Sequence, residues 1–301
     1  MTNKEYWKGI IPALITPVNE DGTLDSDSLE KIIEHIISSG CHGLFVAGSS
    51  GEPTNLSSKT RRDVISQAIR IVNGRLPVCV GTISPGTEQT IEMIKEVQDM
   101  GCNFICSTPN FYMLNERQED IIHHFEKVAR RTGARIMIYN NDATVGQTIK
   151  AETFYKLAEI ENVIAYKDTR PDWENHVKAL AFLRDKDISL ISGGEYMLGP
   201  SILMGGQGNI AAASNVFPKL FVALYHAAKA QDIPLTLDLN DKIARLNDTA
   251  TRTGNGWLWG IKYIAHRFGL CQYTVAGNFT PLTKEQESAI DAIIEELSEY
   301  R

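Results

Sequence analysis

Lys167 ends the apolar run Val163-Ile164-Ala165-Tyr166 and is followed by Asp168 and Thr169. A short apolar run bounded by polar residues reads as a strand buried on both faces. A lysine at its end either marks the exit into solvent or carries chemistry. The chemistry open to it is imine formation, since an unprotonated amine attacks a ketone. At an ordinary pKa near 10.4 about one lysine in 2,500 is neutral at pH 7, so the reaction needs burial and a neighbouring field that favour the free amine. The iminium then accepts electrons as the bond between C3 and C4 breaks, which calls for a proton shuttle and a clamp for a carboxylate. Tyr139, ending Arg135-Ile-Met-Ile-Tyr139, can shuttle; Ser49 and Ser50, in Gly48-Ser-Ser-Gly-Glu52, can clamp. Each has a plainer reading, Tyr139 as a ring capping the core and Ser49-Ser50-Gly51 as a tight turn. Gly48-Ser49-Ser50-Gly51 is one residue short of the serine-hydrolase elbow.

The elements that must position these residues repeat as strand, turn and helix. Gly9–Ile15 is an apolar strand, followed by a turn and a helix N-capped by Ser26 that runs through Ile32, Ile33, Ile36 and Ile37. Strands at 43–47, 77–80, 103–106 and 135–139 precede helices at about 57–72, 86–100, 116–130 and 151–158. The strand ending at Lys167 precedes a helix at 173–183, and strands at 188–192 and 209–211 precede helices at 196–204 and 218–230. Eight such units with short connections indicate a parallel sheet closed into a (β/α)8 barrel of α/β class, here assigned to residues 1–232. Residues 233–301 are expected as a C-terminal helical extension packed on the barrel, with helices at 234–247, 257–268 and 283–300. Thr283 with Gln286 resembles a capping box.

Composition narrows the ligand. With 30 basic against 37 acidic residues, a net charge of -7 and no run of like charge, a nucleic-acid groove is not expected. Residues 1–8 lack the apolar core of a leader, and no apolar stretch reaches the roughly 18 residues a membrane span needs, so a cytoplasmic protein binding a small soluble molecule is expected. Five cysteines without a C-x-x-C pair read as buried, reduced thiols. His123 and His124 are adjacent on a helix and point about 100° apart, so no metal is assigned.

In a barrel the strand C-termini converge on one mouth, where active sites of this fold lie. Thr16, Ser49, Ser50, Thr82, Thr108, Phe111, Tyr112, Tyr139, Lys167, Gly193 and Glu195 would share that rim. Gly193-Gly194 and Gly205-Gly206-Gln207-Gly208 lie where phosphate-binding barrels hold phosphate, yet no basic residue accompanies them.

These motifs, from Gly9-Ile-Ile-Pro-Ala-Leu-Ile-Thr-Pro17 through Gly48-Ser-Ser-Gly-Glu52, Tyr139-Asn140, Tyr166-Lys-Asp-Thr169 and Gly205-Gly-Gln-Gly-Asn-Ile210, resemble the class I pyruvate-dependent aldolases and lyases. That family includes N-acetylneuraminate lyase, dihydrodipicolinate synthase and 2-keto-3-deoxygluconate aldolase. The resemblance implies an imine between Lys167 and a 2-keto acid, with no separate cofactor, and Tyr139 moving protons. It also implies that Ser49 and Ser50 hold the carboxylate, with Ser50 in the proton relay, and that Gly51, Gly193 and Ile210 border the substrate. Tyr112 resembles the aromatic that reaches into a neighbouring subunit's site of a homotetramer, and Phe111 is a rival for that role because Pro109-Asn-Phe-Tyr112 differs in spacing. Dihydrodipicolinate-forming members have an arginine five residues beyond the tyrosine, where this chain has Thr144. A neutral hydroxyl replaces a bidentate cation. Asn141, Asp142, Thr144 and Glu195 make a polar, partly anionic rim suited to a polyhydroxylated tail. The expected activity is a lyase that cleaves or condenses a 2-keto-3-deoxy sugar acid. The alternatives are a dehydratase using the same imine, a dihydrodipicolinate synthase, which Thr144 in place of arginine disfavours, and a non-catalytic sugar-acid binder.

Overall fold

In the computed structural model, residues 2–114, 117–253 and 256–301 are described. Eight parallel strands form one sheet: β1 Gly9–Ile10, β2 Leu44–Val46, β3 Val78–Gly81, β4 Phe104–Ser107, β5 Arg135–Asn140, β6 Val163–Asp168, β7 Ser189–Ser192 and β8 Gly208–Asn209. The hydrogen-bonded order runs β1-β8-β7-β6-β5-β4-β3-β2. The remaining seam, between β1 and β2, is closed by the bridge Ala13↔Phe45, with Phe45 N–H donating to Pro12 O (3.0 Å) and Leu14 N–H to Phe45 O (2.8 Å). The (β/α)8 barrel follows from this closure.

The first strand is shorter than expected. Pro12 has no N–H to donate, so the regular ladder stops at Ile10, although Ile11 and Ala13 still bond to Asn209 and Ala211 across the β8 seam. At that seam a Cβ on Gly208 would lie 2.1 Å from Gly9 O, so only glycine lets the two backbones pair.

The helices wrap the sheet with their apolar faces inward. Ser26–Ser38 buries Leu29, Ile32, Ile33 and Ile36, and its N-cap is Asp25, not Ser26. The Asp25 carboxylate accepts from both Ser28 N–H (3.1 Å) and Ser28 Oγ (2.7 Å), which a serine at Ser26, already helical, cannot do. Ser58–Val72, Thr87–Asp99, Gln118–Thr132, Ala151–Leu157, Trp173–Phe182, Leu198–Leu203 and Pro218–Lys229 follow the expected units to within two residues. Glu116, the expected start of the fourth helix, lies outside the described residues. Two short helices, Asn3–Tyr6 and Asp142–Val145, carry too few residues to show periodicity. Residues beyond 232 form Ile233–Ala250, Trp257–Arg267 and Lys284–Glu296, the last with the Thr283–Gln286 capping box. Among the described helices none is long and apolar enough to cross a membrane.

The five cysteines are free and buried. Of the two adjacent histidines, His123 is exposed and His124 is buried, its Nδ1 2.9 Å from Thr87 Oγ1. Burial pushes the His124 pKa down from 6.5 to about 4. The unfolded chain therefore takes up a proton that the folded one refuses between these values. The stability His124 permits at neutral pH is lost as pH falls from about 6.5 to about 4, by roughly 3 kcal/mol. His124→Gln, which keeps a polar partner for Thr87, should flatten that part of the pH dependence in urea titrations at pH 7 and pH 4.5; an unchanged slope would refute it.

Candidate active site

β5 and β6 are register partners that set Tyr139 beside Lys167. Alternation along β6 then turns Lys167 into the barrel mouth and Asp168 toward the helices. Lys167 is 4% exposed, and its Nζ lies 4.0 Å from the centre of the Tyr139 ring and 4.9 Å from that of Phe45. Among the described residues that Nζ donates no hydrogen bond and forms no ion pair. It is a buried amine walled by π faces, open toward a cavity of about 880 Å³.

Ser49, Ser50, Tyr139, Asn141, Thr144, Lys167, Gly193, Glu195 and Ile210 all line this cavity. The serines sit on a 3₁₀ turn, Ser49–Gly51, immediately after β2. Two non-glycine residues with left-handed backbone, Ala47 and Glu52 (both φ +55°), bracket the turn. Each costs on the order of 1 kcal/mol, and surrounding contacts must hold it. Gly51 is buried without lining the cavity, and its carbonyl accepts from Thr16 Oγ1 at 2.8 Å. On the opposite side Asn141 Nδ2 donates to Tyr139 Oη at 2.8 Å, fixing the phenol. Gly193 closes over the lysine: a Cβ there would meet Thr169 Oγ1 at 1.9 Å and Lys167 Cε at 3.0 Å.

Glu195 opens the 3₁₀ turn after β7, and its Oε1 accepts from Ala212 N–H at 3.3 Å. Burial raises its pKa, while backbone N–H groups and the Lys167 charge oppose that rise. The rim differs from expectation at Asp142. That carboxylate is taken by Arg170 (Nε to Oδ2, 3.1 Å), and Arg170 also bonds Asp172 at 2.5 Å. Arg170 lines the cavity with its side chain only 11% exposed, so the rim holds a neutralised acid and a committed cation. The loop after β4 separates its two aromatics: Phe111 lines the cavity, whereas Tyr112 is 90% exposed with φ +70° and does not line it.

Behind the sheet, Asp168 accepts from Asn140 Nδ2 (3.1 Å) and lies 3.6 Å from His176 Nδ1, whose other nitrogen is 2.9 Å from Ser201 Oγ. Behind the serine turn, Glu52 and Lys262 form an ion pair at 2.7 Å with both side chains fully buried. Lys262 carries no expected role from the sequence. Its signal is a lone cation inside the apolar stretch Trp257-Leu-Trp-Gly-Ile-Lys262-Tyr-Ile-Ala265, a place where a charge survives only with a partner. Among the described residues no three His, Cys, Asp or Glu side chains converge as a metal site.

A closed parallel barrel with a buried lysine and tyrosine side by side at its mouth is the setting in which the chain meets a family of lyases and aldolases. The sequence profile of the dihydrodipicolinate synthetase family matches residues 6–297, and the chain belongs to that family. It is 32% identical over 289 residues to the 4-hydroxy-tetrahydrodipicolinate synthase of Bartonella bacilliformis, covering 96% of this chain and 97% of that one. The dihydrodipicolinate synthase structure from Bacteroides thetaiotaomicron superposes with a TM-score of 0.90 at 29% identity, covering 96% and 98%. The chloride-inhibited dihydrodipicolinate synthase of Acinetobacter baumannii, solved with pyruvate, does so at 0.90 and 27%, covering 97% and 99%.

Proposed function

We propose that this enzyme forms an imine between Lys167 and the keto carbon of a 2-keto acid, and cleaves or condenses a 2-keto-3-deoxy sugar acid to pyruvate and an aldehyde. The observation that carries this reading is the Lys167 amine, 4.0 Å from the Tyr139 ring, in one cavity with the Ser49–Ser50 turn. The amine adds to the ketone and water leaves. Tyr139 gives its proton to the departing hydroxyl as the iminium forms, and the phenolate then takes the proton of the C4 hydroxyl as the C3–C4 electrons move into the iminium and the aldehyde leaves. Tyr139 returns that proton to C3 of the enamine, and it regains one when water hydrolyses the imine and frees pyruvate. Ser49 and Ser50 hold the carboxylate, with Ser50 in the relay. The lysine imine is itself the electron sink, so the chemistry calls for no separate cofactor.

The aldehyde part of the substrate is the finer proposal. Thr144 stands where dihydrodipicolinate-forming relatives carry arginine, and Arg170 is already engaged by two carboxylates. Neither offers a free cation to a second carboxylate, while Asn141, Thr144 and Glu195 offer hydrogen-bonding groups to hydroxyls.

Borohydride reduction in the presence of pyruvate is expected to add one reduced pyruvate at Lys167; folded protein that does not trap there removes the imine. With a panel of 2-keto-3-deoxy sugar acids, direct pyruvate release marks the lyase, and loss of water without pyruvate marks the dehydratase. Ligand binding without turnover that survives Lys167→Ala would favour a binder. The proposal includes a cytoplasmic homotetramer in which another copy covers the exposed Tyr112. Sedimentation is expected to give four chains, and a monomer at micromolar concentration would remove that part.

A further inference from the structure

We propose that the buried Glu52–Lys262 pair is a positioning device for the substrate carboxylate, so that the C-terminal helices help to hold the serine turn in register. The inference rests on the imine reading above. Glu52 directly follows Ser49-Ser50-Gly51 in left-handed conformation (φ +55°), and its side chain is fully buried. Its Oε1 meets Lys262 Nζ at 2.7 Å, and its Oε2 accepts from Ala276 N–H (2.8 Å) and Gly277 N–H (3.0 Å). Lys262 also donates to Thr16 O at 2.7 Å, and Thr16 Oγ1 donates to Gly51 O at 2.8 Å.

These contacts close a ring. It runs from Lys262 to Glu52, through the backbone to Gly51, across to Thr16, and back to Lys262. The segment that follows the first strand, the serine turn and the helix Trp257–Arg267 are thereby fixed to one another by a buried ion pair, a charge-assisted bond to Thr16 O and a neutral bond to Gly51 O. A pair serving stability alone would be replaceable by apolar groups of similar volume. This one sits two residues from Ser50, which would bind the carboxylate, and a clamp displaced by even a fraction of its hydrogen-bond tolerance binds weakly.

The test is the pyruvate concentration giving half-maximal borohydride trapping at Lys167, read together with the maximal trapping rate. Glu52→Gln, Lys262→Met and the double variant, which leaves no unpaired charge, are each compared with the wild type, with thermal unfolding as the check on folding. The expected result is a half-saturating concentration raised about tenfold with the maximal rate little changed. Should the charge variants not fold, Thr16→Val opens the same ring at an uncharged link, and a rise of about threefold is expected. Folded variants that saturate at the wild-type concentration overturn the inference while the imine reading stands, as does a loss of maximal rate alone. A wild type that does not trap at Lys167 removes both.

Discussion

Lys167→Ala should lose about 10⁴-fold or more in turnover and all borohydride trapping while staying folded, because in the proposed reaction the Lys167 nitrogen is the electron sink. The fold should tolerate it. Among the described residues the Lys167 amine makes no hydrogen bond or ion pair whose loss would orphan a partner, and the strand pairing of Lys167 with Tyr139 and Ile191 is made by backbone. The change in stability is expected within about 1 kcal/mol either way. Lys167→Arg should be equally inactive, since a guanidinium does not give up its proton to become a nucleophile. Pyruvate-release assays beside thermal unfolding decide this. Turnover within a factor of about ten of wild type would place the chemistry elsewhere.

Tyr139→Phe should cost about 10²- to 10³-fold in carbon–carbon cleavage, the usual worth of a positioned proton-transfer group. The ring that walls the Lys167 amine at 4.0 Å remains, so pyruvate should still be trapped. Only the hydroxyl goes, and with it the acceptor for Asn141 Nδ2, at a cost of roughly 1 kcal/mol in stability. Cleavage and trapping are therefore expected to separate. A variant that cleaves at close to the wild-type rate would remove Tyr139 from proton transfer and leave it as a wall of the site.

Features set by local spacing and features set by distant contacts part along a physical line. Strands and helices announce themselves by local apolar spacing, and the eight repeated units were legible for that reason. The errors are local competitions: Asp25 caps in place of Ser26 because its two oxygens reach both groups of Ser28, and Pro12 interrupts the first ladder by lacking a donor. The neutralisation of Asp142 by Arg170 was not legible. The two are 28 residues apart and meet only because β5 and β6 lie side by side. The parting of Phe111 from Tyr112 depends on the left-handed turn at Tyr112, which residue types in that loop do not dictate.

The sequence by itself determined the barrel, the lysine at the end of its sixth strand and the tyrosine one strand away, since periodicity and strand order follow from patterns within a few tens of residues. Only the tertiary structure decided what surrounds them. Lys262 lies 210 residues from Glu52 along the chain and reaches it when the last helices pack on the barrel. Closing so long a loop leaves no local trace, and a buried charge finds its partner only in the folded molecule, where an unpaired one would be too costly to keep.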